Sequence, residues 1–266
     1  MSQPTRQQRR AAEKQARQYY ETRGLPPGGE AGPLIVHARE LRGILADRAN
    51  PGRAADAADL SMRSYERSAR FHPPPERPAC ARGCAFCCNA FVVATAPEIF
   101  RLARHLRARP AAERDAALAR LATAAAATVG PAIPEGMLVR RPCGLLEERA
   151  CSAYPARPLV CRAGNSLDAR ACEAALHDPR VPMPMQATPM LLKDGHMLCL
   201  VAALRATGLD GGAWEINGAL LRAANDPAAE RRWLDGADVF AGVPQGPPPP
   251  PAHAAFLDRL TASVRA

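Results

Sequence analysis

Residues 80–88 read CARGCAFCC, placing Cys80, Cys84, Cys87 and Cys88 within nine positions that also include Gly83. A soft metal cation needs several thiolates converging on one centre at about 2.3 Å. A tight loop can gather them in this way, whereas a regular helix or strand cannot. The stretch therefore predicts an irregular, cysteine-rich metal-binding core, with Gly83 relieving the backbone of the wrap. Side chains of adjacent residues usually point apart, so Cys87 and Cys88 are expected to serve different positions. One of them would belong to a second metal or to a polynuclear cluster.

A second set follows after a gap of more than 50 residues: Cys143, Cys151, Cys161 and Cys172. Eight thiols suit two tetrahedral zinc sites, two cubane iron-sulfur clusters, or one cluster with spare zinc or redox ligands, because four cysteines can ligate either zinc or a 4Fe-4S cluster. The ninth cysteine, Cys199, lies in the apolar run HMLCLVAAL and reads as a small buried hydrophobe. An odd number of cysteines fits a disulfide framework poorly. With no apolar leader in MSQPTRQQRRAAEK, the expected setting is a reducing, cytoplasmic one, where cysteine clusters bind metals or react.

Several residues beside the cysteines can tune such a centre. Arg157 and Arg162, with Arg82, would lower thiol pKa values and stabilise thiolates. Tyr154, Asn165 and Ser166 can donate hydrogen bonds to sulfur. The six histidines are scattered; His177 and His196 fall nearest the second set, without metal-ligand spacing.

The flanks read as helices, giving a mainly α fold packed around the cysteine-rich core with at most one or two short strands. Leu34, Ala38, Leu41 and Leu45 recur on one helical face, and a second helix is expected over 54–70. HPPPERP from His72 is a rigid connector. FVVAT (91–95) suggests a short strand, and Thr95, Pro97 and Glu98 carry the cap, early-proline and early-acid signals of a helix start. An alanine-rich helix should run from beyond Pro110 to about Thr128, followed by a proline-rich connector over 130–136. Further helices are expected over 190–207 with an interruption near Gly195, over 214–224, over 228–234, and at the C-terminus, where Phe256, Leu260 and Val264 share a face that should pack back onto the domain. The organisation is thus a basic, flexible arm (1–32), a helical segment and connector (33–78), the cysteine-cluster domain (79–178), a helical extension (179–243), a proline-rich linker (244–252) and a C-terminal helix (253–266).

The formal charge is +9, carried almost wholly by arginine, with Lys14 and Lys193 the only lysines. No zinc-finger, helix-turn-helix or RNP pattern accompanies it, so the sequence gives no support to specific nucleic-acid binding. No run of about 18 uncharged apolar residues occurs, and membrane insertion is not expected. Walker A, G-x-G-x-x-G, H-E-x-x-H and G-x-S-x-G motifs are absent, which removes support for nucleotide hydrolysis, Rossmann redox chemistry and triad hydrolysis.

The cluster at 80–88, followed by Cys143-Gly144-Leu145-Leu146, Cys151-Ser152-Ala153-Tyr154, Arg157-Pro158 and Cys161-Arg162, resembles the YkgJ-type cysteine-cluster family, whose members are described as zinc- or iron-chelating. The resemblance spans roughly 80–172 and departs at Gly144, where proline is expected and a looser local backbone would follow. It implies helical flanks and a metal ion or cluster as the partner. Relatives include flagellin lysine N-methylases, but family membership alone transfers no activity. The expected function is a zinc- or iron-sulfur-binding protein with a thiolate-rich site joining the two cysteine segments. One alternative is an iron-sulfur-dependent enzyme of protein N-methylase type, since C-x3-C-x2-C with Phe86 resembles the radical S-adenosylmethionine motif. A second is metal trafficking or redox sensing through exchangeable thiolates.

Overall fold

The computed structural model describes residues 31–127, 142–178, 180–249 and 251–266. The basic arm, except for its last two residues, and the 130–136 connector lie outside them. The described residues form ten α-helices: α1 Ala31–Ala46, α2 Arg53–Phe71, α3 Ala96–Arg107, α4 Ala111–Ala126, α5 Leu159–Ala163, α6 Ala169–His177, α7 Ala187–Ala206, α8 Ile216–Asn225, α9 Ala229–Leu234 and α10 Pro251–Arg265. Four short strands, β1 Val93–Thr95, β2 Leu146–Glu147, β3 Ala150–Cys151 and β4 Ala213–Glu215, make two antiparallel pairs, β1 with β4 and β2 with β3. The fold is mainly α, as the periodicities imply.

The β1/β4 pair is the hub. Val93 lies opposite Glu215 and Thr95 opposite Ala213, and each strand runs straight into a helix, β1 into α3 and β4 into α8. Both helix starts are closed by a buried carboxylate. Glu98 Oε2 accepts the Thr95 N–H at 3.0 Å and the Thr95 hydroxyl at 2.8 Å. Glu215 Oε1 accepts the Asn217 N–H at 3.0 Å, and Oε2 accepts that of Gly218 at 2.7 Å. These bonds satisfy helix N–H groups that have no partner in the helix itself, and they meet the need of the carboxylates for donors once they are out of water. Glu98 is 4% exposed and Glu215 1%.

Around the hub, α3 packs on α2 and α8, and α8 packs on α4. Phe100, Trp214, Trp233 and Phe240 fill the space between them, with the Trp214 and Phe240 rings 4.9 Å apart. Arg104 pairs with Asp56 at 2.6 Å, and Arg101 and Arg104 both reach Asp59, along the α2/α3 seam. On the other side α7 is the central helix, lined by α1, α2, α5 and α10. It is long and apolar enough by length and composition to cross a membrane. Here it serves as an interior helix, with the Lys193–Asp194 pair (2.6 Å) in its middle. Phe256, Leu257, Leu260 and Val264 bury the inner face of α10, so the last helix does return to the domain.

Two local expectations change. No break occurs at Gly195: α7 is continuous from Ala187 to Ala206. A glycine costs about 1 kcal/mol in a helix interior, and burial of Leu198, Cys199, Leu200 and Leu204 offsets it. The helix expected over 214–224 begins instead at Ile216, because Trp214 and Glu215 are drawn into β4 by pairing with β1.

Replacing Glu215 by alanine should remove the shared acceptor of two buried N–H groups and cost on the order of 3 kcal/mol, read as a fall in the urea midpoint with an unchanged slope. A loss below about 1 kcal/mol would show that the α8 start does not depend on this carboxylate.

Candidate metal centre

The first cysteine segment is anchored where the Ala79 N–H donates to Ser166 O at 2.8 Å. A turn closed by Cys84 N–H to Ala81 O (3.0 Å) contains Gly83 at φ +91°, the left-handed conformation that glycine adopts without a Cβ penalty. Arg149 Nε donates to Gly83 O at 3.1 Å. The chain then makes a 3-10 turn over Phe86–Asn89, held by Cys88 N–H to Ala85 O (3.1 Å) and by the Asn89 side chain on the same carbonyl. This turn carries Cys87 and Cys88 side by side, the Cys87 thiol exposed and that of Cys88 half-buried.

The second segment joins the first again through the Cys143 N–H, which donates to Cys88 O at 2.7 Å. The β2/β3 hairpin turns on Glu148 (φ 45°) and Arg149 (φ 61°), two positive values in the pattern of a type I′ turn. It sets Cys151 opposite Leu146. Leu159 N–H, at the start of α5, donates to Glu98 Oε1 at 2.8 Å, so the carboxylate that caps α3 also positions the helix carrying Cys161. Cys172 is buried on α6, whose first turn is capped by Asp168.

The thiols of the two segments act on one another electrostatically. Cys172 lies within electrostatic reach of Cys80, Cys84 and Cys87. Cys161 is within reach of Cys143, Cys151 and Cys87, and Cys88 of Cys87, Cys143 and Cys151. Cys87 acts on all three, and it is the exposed member of the set. Burial, reinforced by the charge of neighbouring thiolates, pushes up the pKa values of Cys80, Cys151 and Cys161 and takes Cys143 to about 12. Burial likewise raises Cys172, against a hydrogen bond from Ser166. Cys87 is held down at about 6, first by the hydrogen bond from Cys88, with Arg157 acting in the same direction. All nine cysteines are free thiols. Cys199 stands apart on α7, fully buried, its thiol donating to Leu34 O at 3.3 Å, as expected of a core residue.

Among the described residues, no three cysteine, histidine, aspartate or glutamate side chains already stand as a group that could hold a metal ion. The donors are gathered but not closed. Their chemistry nevertheless fits a thiophilic cation: eight thiols share one neighbourhood, and most are raised by a loss of solvation that a coordinated cation would relieve. The Arg157 guanidinium acts on Cys80, Cys87, Cys151 and Cys161, yet its Nε is buried without a partner among the described residues, a donor suited to an anionic thiolate centre.

The other flanking residues divide. Arg157 lies flat on Tyr154, 3.8 Å from the ring centre, with Arg162 at 5.5 Å. Tyr154 is exposed and holds arginines rather than sulfur. Arg162 also pairs with Glu66 of α2. Ser166 does contact sulfur: its N–H donates to Cys80 Sγ at 3.3 Å. Asn165 contributes its main chain, accepting the Gln186 N–H at 2.9 Å. Glu215 and Asn217 were not singled out by their sequence context, and the second role of Glu98 was equally hidden. Asn217 Nδ2 donates to Glu215 Oε1 at 2.6 Å, while its Oδ1 accepts the Gly144 N–H at 2.9 Å, fixing the residue after Cys143.

Gly144 is a tight position, not a loose one. A Cβ there would lie 2.6 Å from Leu121 Cα and 2.7 Å from Leu121 N. Proline would also lose the donor to Asn217. Backbone contact with α4 therefore explains the departure from the family pattern.

Residues 79–179 match the model of the CxxCxxCC family, described as "Putative zinc- or iron-chelating domain". The match covers the segment that holds the eight clustered cysteines and is consistent with a cysteine-cluster, metal-binding domain there. The first interval here is three residues, not the two that the name spells, and the Ala81–Cys84 turn with Gly83 takes up the extra one. Comparison with curated proteins gives no match, and neither does comparison with solved structures.

Gly144→Ala should destabilise the protein by roughly 2 kcal/mol or more, read by thermal unfolding; an unchanged midpoint would mean that α4 moves freely. The raised thiols also fix a pH dependence. The metal-free fold binds more protons than the unfolded chain between the ordinary thiol pKa near 9 and the raised values around 12, so its stability should fall as pH rises through that window. Circular dichroism melts between pH 8 and 11 check the sign.

Proposed function

We propose that the protein binds two metal centres through eight thiols, one held by Cys80, Cys84, Cys87 and Cys172 and the other by Cys88, Cys143, Cys151 and Cys161. What supports this reading is the packing of the two segments on each other: α6, which carries Cys172, packs on the 86–89 turn, the Ser166 N–H meets Cys80 Sγ, and the Cys143 N–H bonds to Cys88 O. Two adjacent cysteines serving neighbouring centres suit this arrangement better than a lone zinc finger. The metal is zinc or an iron-sulfur cluster, and the setting a reducing cytoplasm. Arg157, stacked on Tyr154, offsets the negative charge of the thiolates, and Ser166 orients Cys80. When bound, the metal joins the cysteine segments; structural zinc contributes apparent binding free energies of about 10 to 16 kcal/mol in small zinc domains.

Exposure of Cys87 favours a second reading, in which one centre exchanges its metal with other thiols or responds to oxidants. An N-methylase-type enzyme draws no support from the fold: among the described residues the strands are two short antiparallel pairs, without repeated parallel strand-helix units.

Anaerobic purification followed by metal and acid-labile sulfide analysis and an absorbance spectrum tests these readings together. Zinc without sulfide or colour eliminates the iron-sulfur alternatives. Cys84→Ser and Cys161→Ser should each remove about half of the bound metal, because each deletes a ligand of a different centre. Full metal content in both variants would refute the ligand assignment.

A further inference from the structure

Away from the cysteines, two imidazoles meet between α1 and α7. The rings of His37 and His196 lie edge to face, with centroids 5.0 Å apart. His37 is 9% exposed, and Tyr65 of α2 places its ring 6.0 Å from that of His196. Each imidazole has one nitrogen held and the other left over. His37 Nδ1 is 3.3 Å from Glu40 Oε2, and its Nε2 is buried with no hydrogen-bond partner among the described residues. His196 Nε2 is 3.3 Å from Ser68 Oγ, and its Nδ1 is likewise buried without a partner.

Buried polar atoms are nearly always satisfied. Two orphans on rings that meet edge to face, each ring with its other nitrogen beside an oxygen, offer the donors that metal-ligating histidines use: one nitrogen for the metal, the other fixed by a carboxylate or hydroxyl. The spacing agrees. A cation about 2.0 to 2.1 Å from each nitrogen lies about 3.2 Å from each ring centre, and two rings at a tetrahedral angle around it are about 5 Å apart.

We infer that His37 Nε2 and His196 Nδ1 form a further metal site, separate from the thiols, that takes a borderline divalent transition-metal ion such as Zn2+. Imidazole donors select this class over hard cations such as Mg2+ and Ca2+. The protein supplies two ligands, and water or a small-molecule donor completes the coordination. The Glu40 carboxylate orients His37 and offsets Arg67, whose positive charge also acts on that ring. Burial keeps both imidazoles neutral, with His196 down at about 4, and neutral imidazole is the ligating form. None of the cysteines grouped above takes part, and the site does not depend on them.

The test uses the full chain with Zn2+ as the probe. After equilibration with Zn2+ and removal of free metal, the wild-type protein should hold one more zinc per chain than His37→Gln or His196→Gln, and Cys84→Ser should retain that additional zinc while losing metal from the thiolate centre. Glu40→Gln should weaken the imidazole site roughly tenfold. Should a histidine variant fail to fold, imidazole nitrogen NMR of the wild-type protein decides the matter: added Zn2+ should shift His37 Nε2 and His196 Nδ1 and leave their partner nitrogens in place. Equal zinc content in the wild type and both folded histidine variants, or unmoved imidazole resonances, overturns the proposal whatever the cysteines bind.

Discussion

Two carboxylates in the interior, Glu98 and Glu215, fix the point at which a short antiparallel pair turns into two helices, and the rest of the chain is arranged from there. A buried carboxylate without donors would cost several kcal/mol; here its oxygens collect N–H and O–H groups from α3, α8 and their flanks. Each carboxylate also reaches the cysteine region. Glu98 holds the Leu159 N–H and with it the helix of Cys161. Glu215 holds Asn217, which holds the Gly144 N–H beside Cys143. Helix capping and placement of the second cysteine segment are thus one hydrogen-bonded system, and the helical scaffold is the template on which the thiols are set.

Much of the scaffold was legible in the sequence, because helical periodicity and caps are local. Leu34, Ala38, Leu41 and Leu45 marked α1, and Thr95, Pro97 and Glu98 marked the start of α3. The eight clustered cysteines announced themselves by spacing. What stayed hidden is set by contacts distant in sequence. Trp214 and Glu215 read as helix because nothing local reveals their pairing with Val93 and Ala94. The strands β2 and β3 are two residues each, too short to carry alternation. The link between the two cysteine segments was equally out of reach: sequence order separates Cys88 from Cys143, whereas the fold joins their backbones. Gly144 looked like a loss of rigidity, yet its neighbour Leu121 is 23 positions away in the chain.

The main core consists of close-packed alanine and leucine from α1, α3, α4, α7, α8 and α10, with Cys143 and Cys151 only at its margin. A small zinc finger owes its fold to its metal. This chain instead sets its cysteines against a helical body that has a hydrophobic interior of its own.

Position 144 shows how tightly that segment is seated. The atoms that exclude a side chain there belong to the Leu121 backbone, so no change of rotamer can make room. The movement left is a translation of α4 as a rigid rod, which would also disturb Arg120, bonded to Gly144 O at 3.3 Å and paired with Glu147 at 3.4 Å. A single hydrogen atom on one Cα therefore acts as a spacer gauge, setting how near a whole helix stands to the cysteine loop.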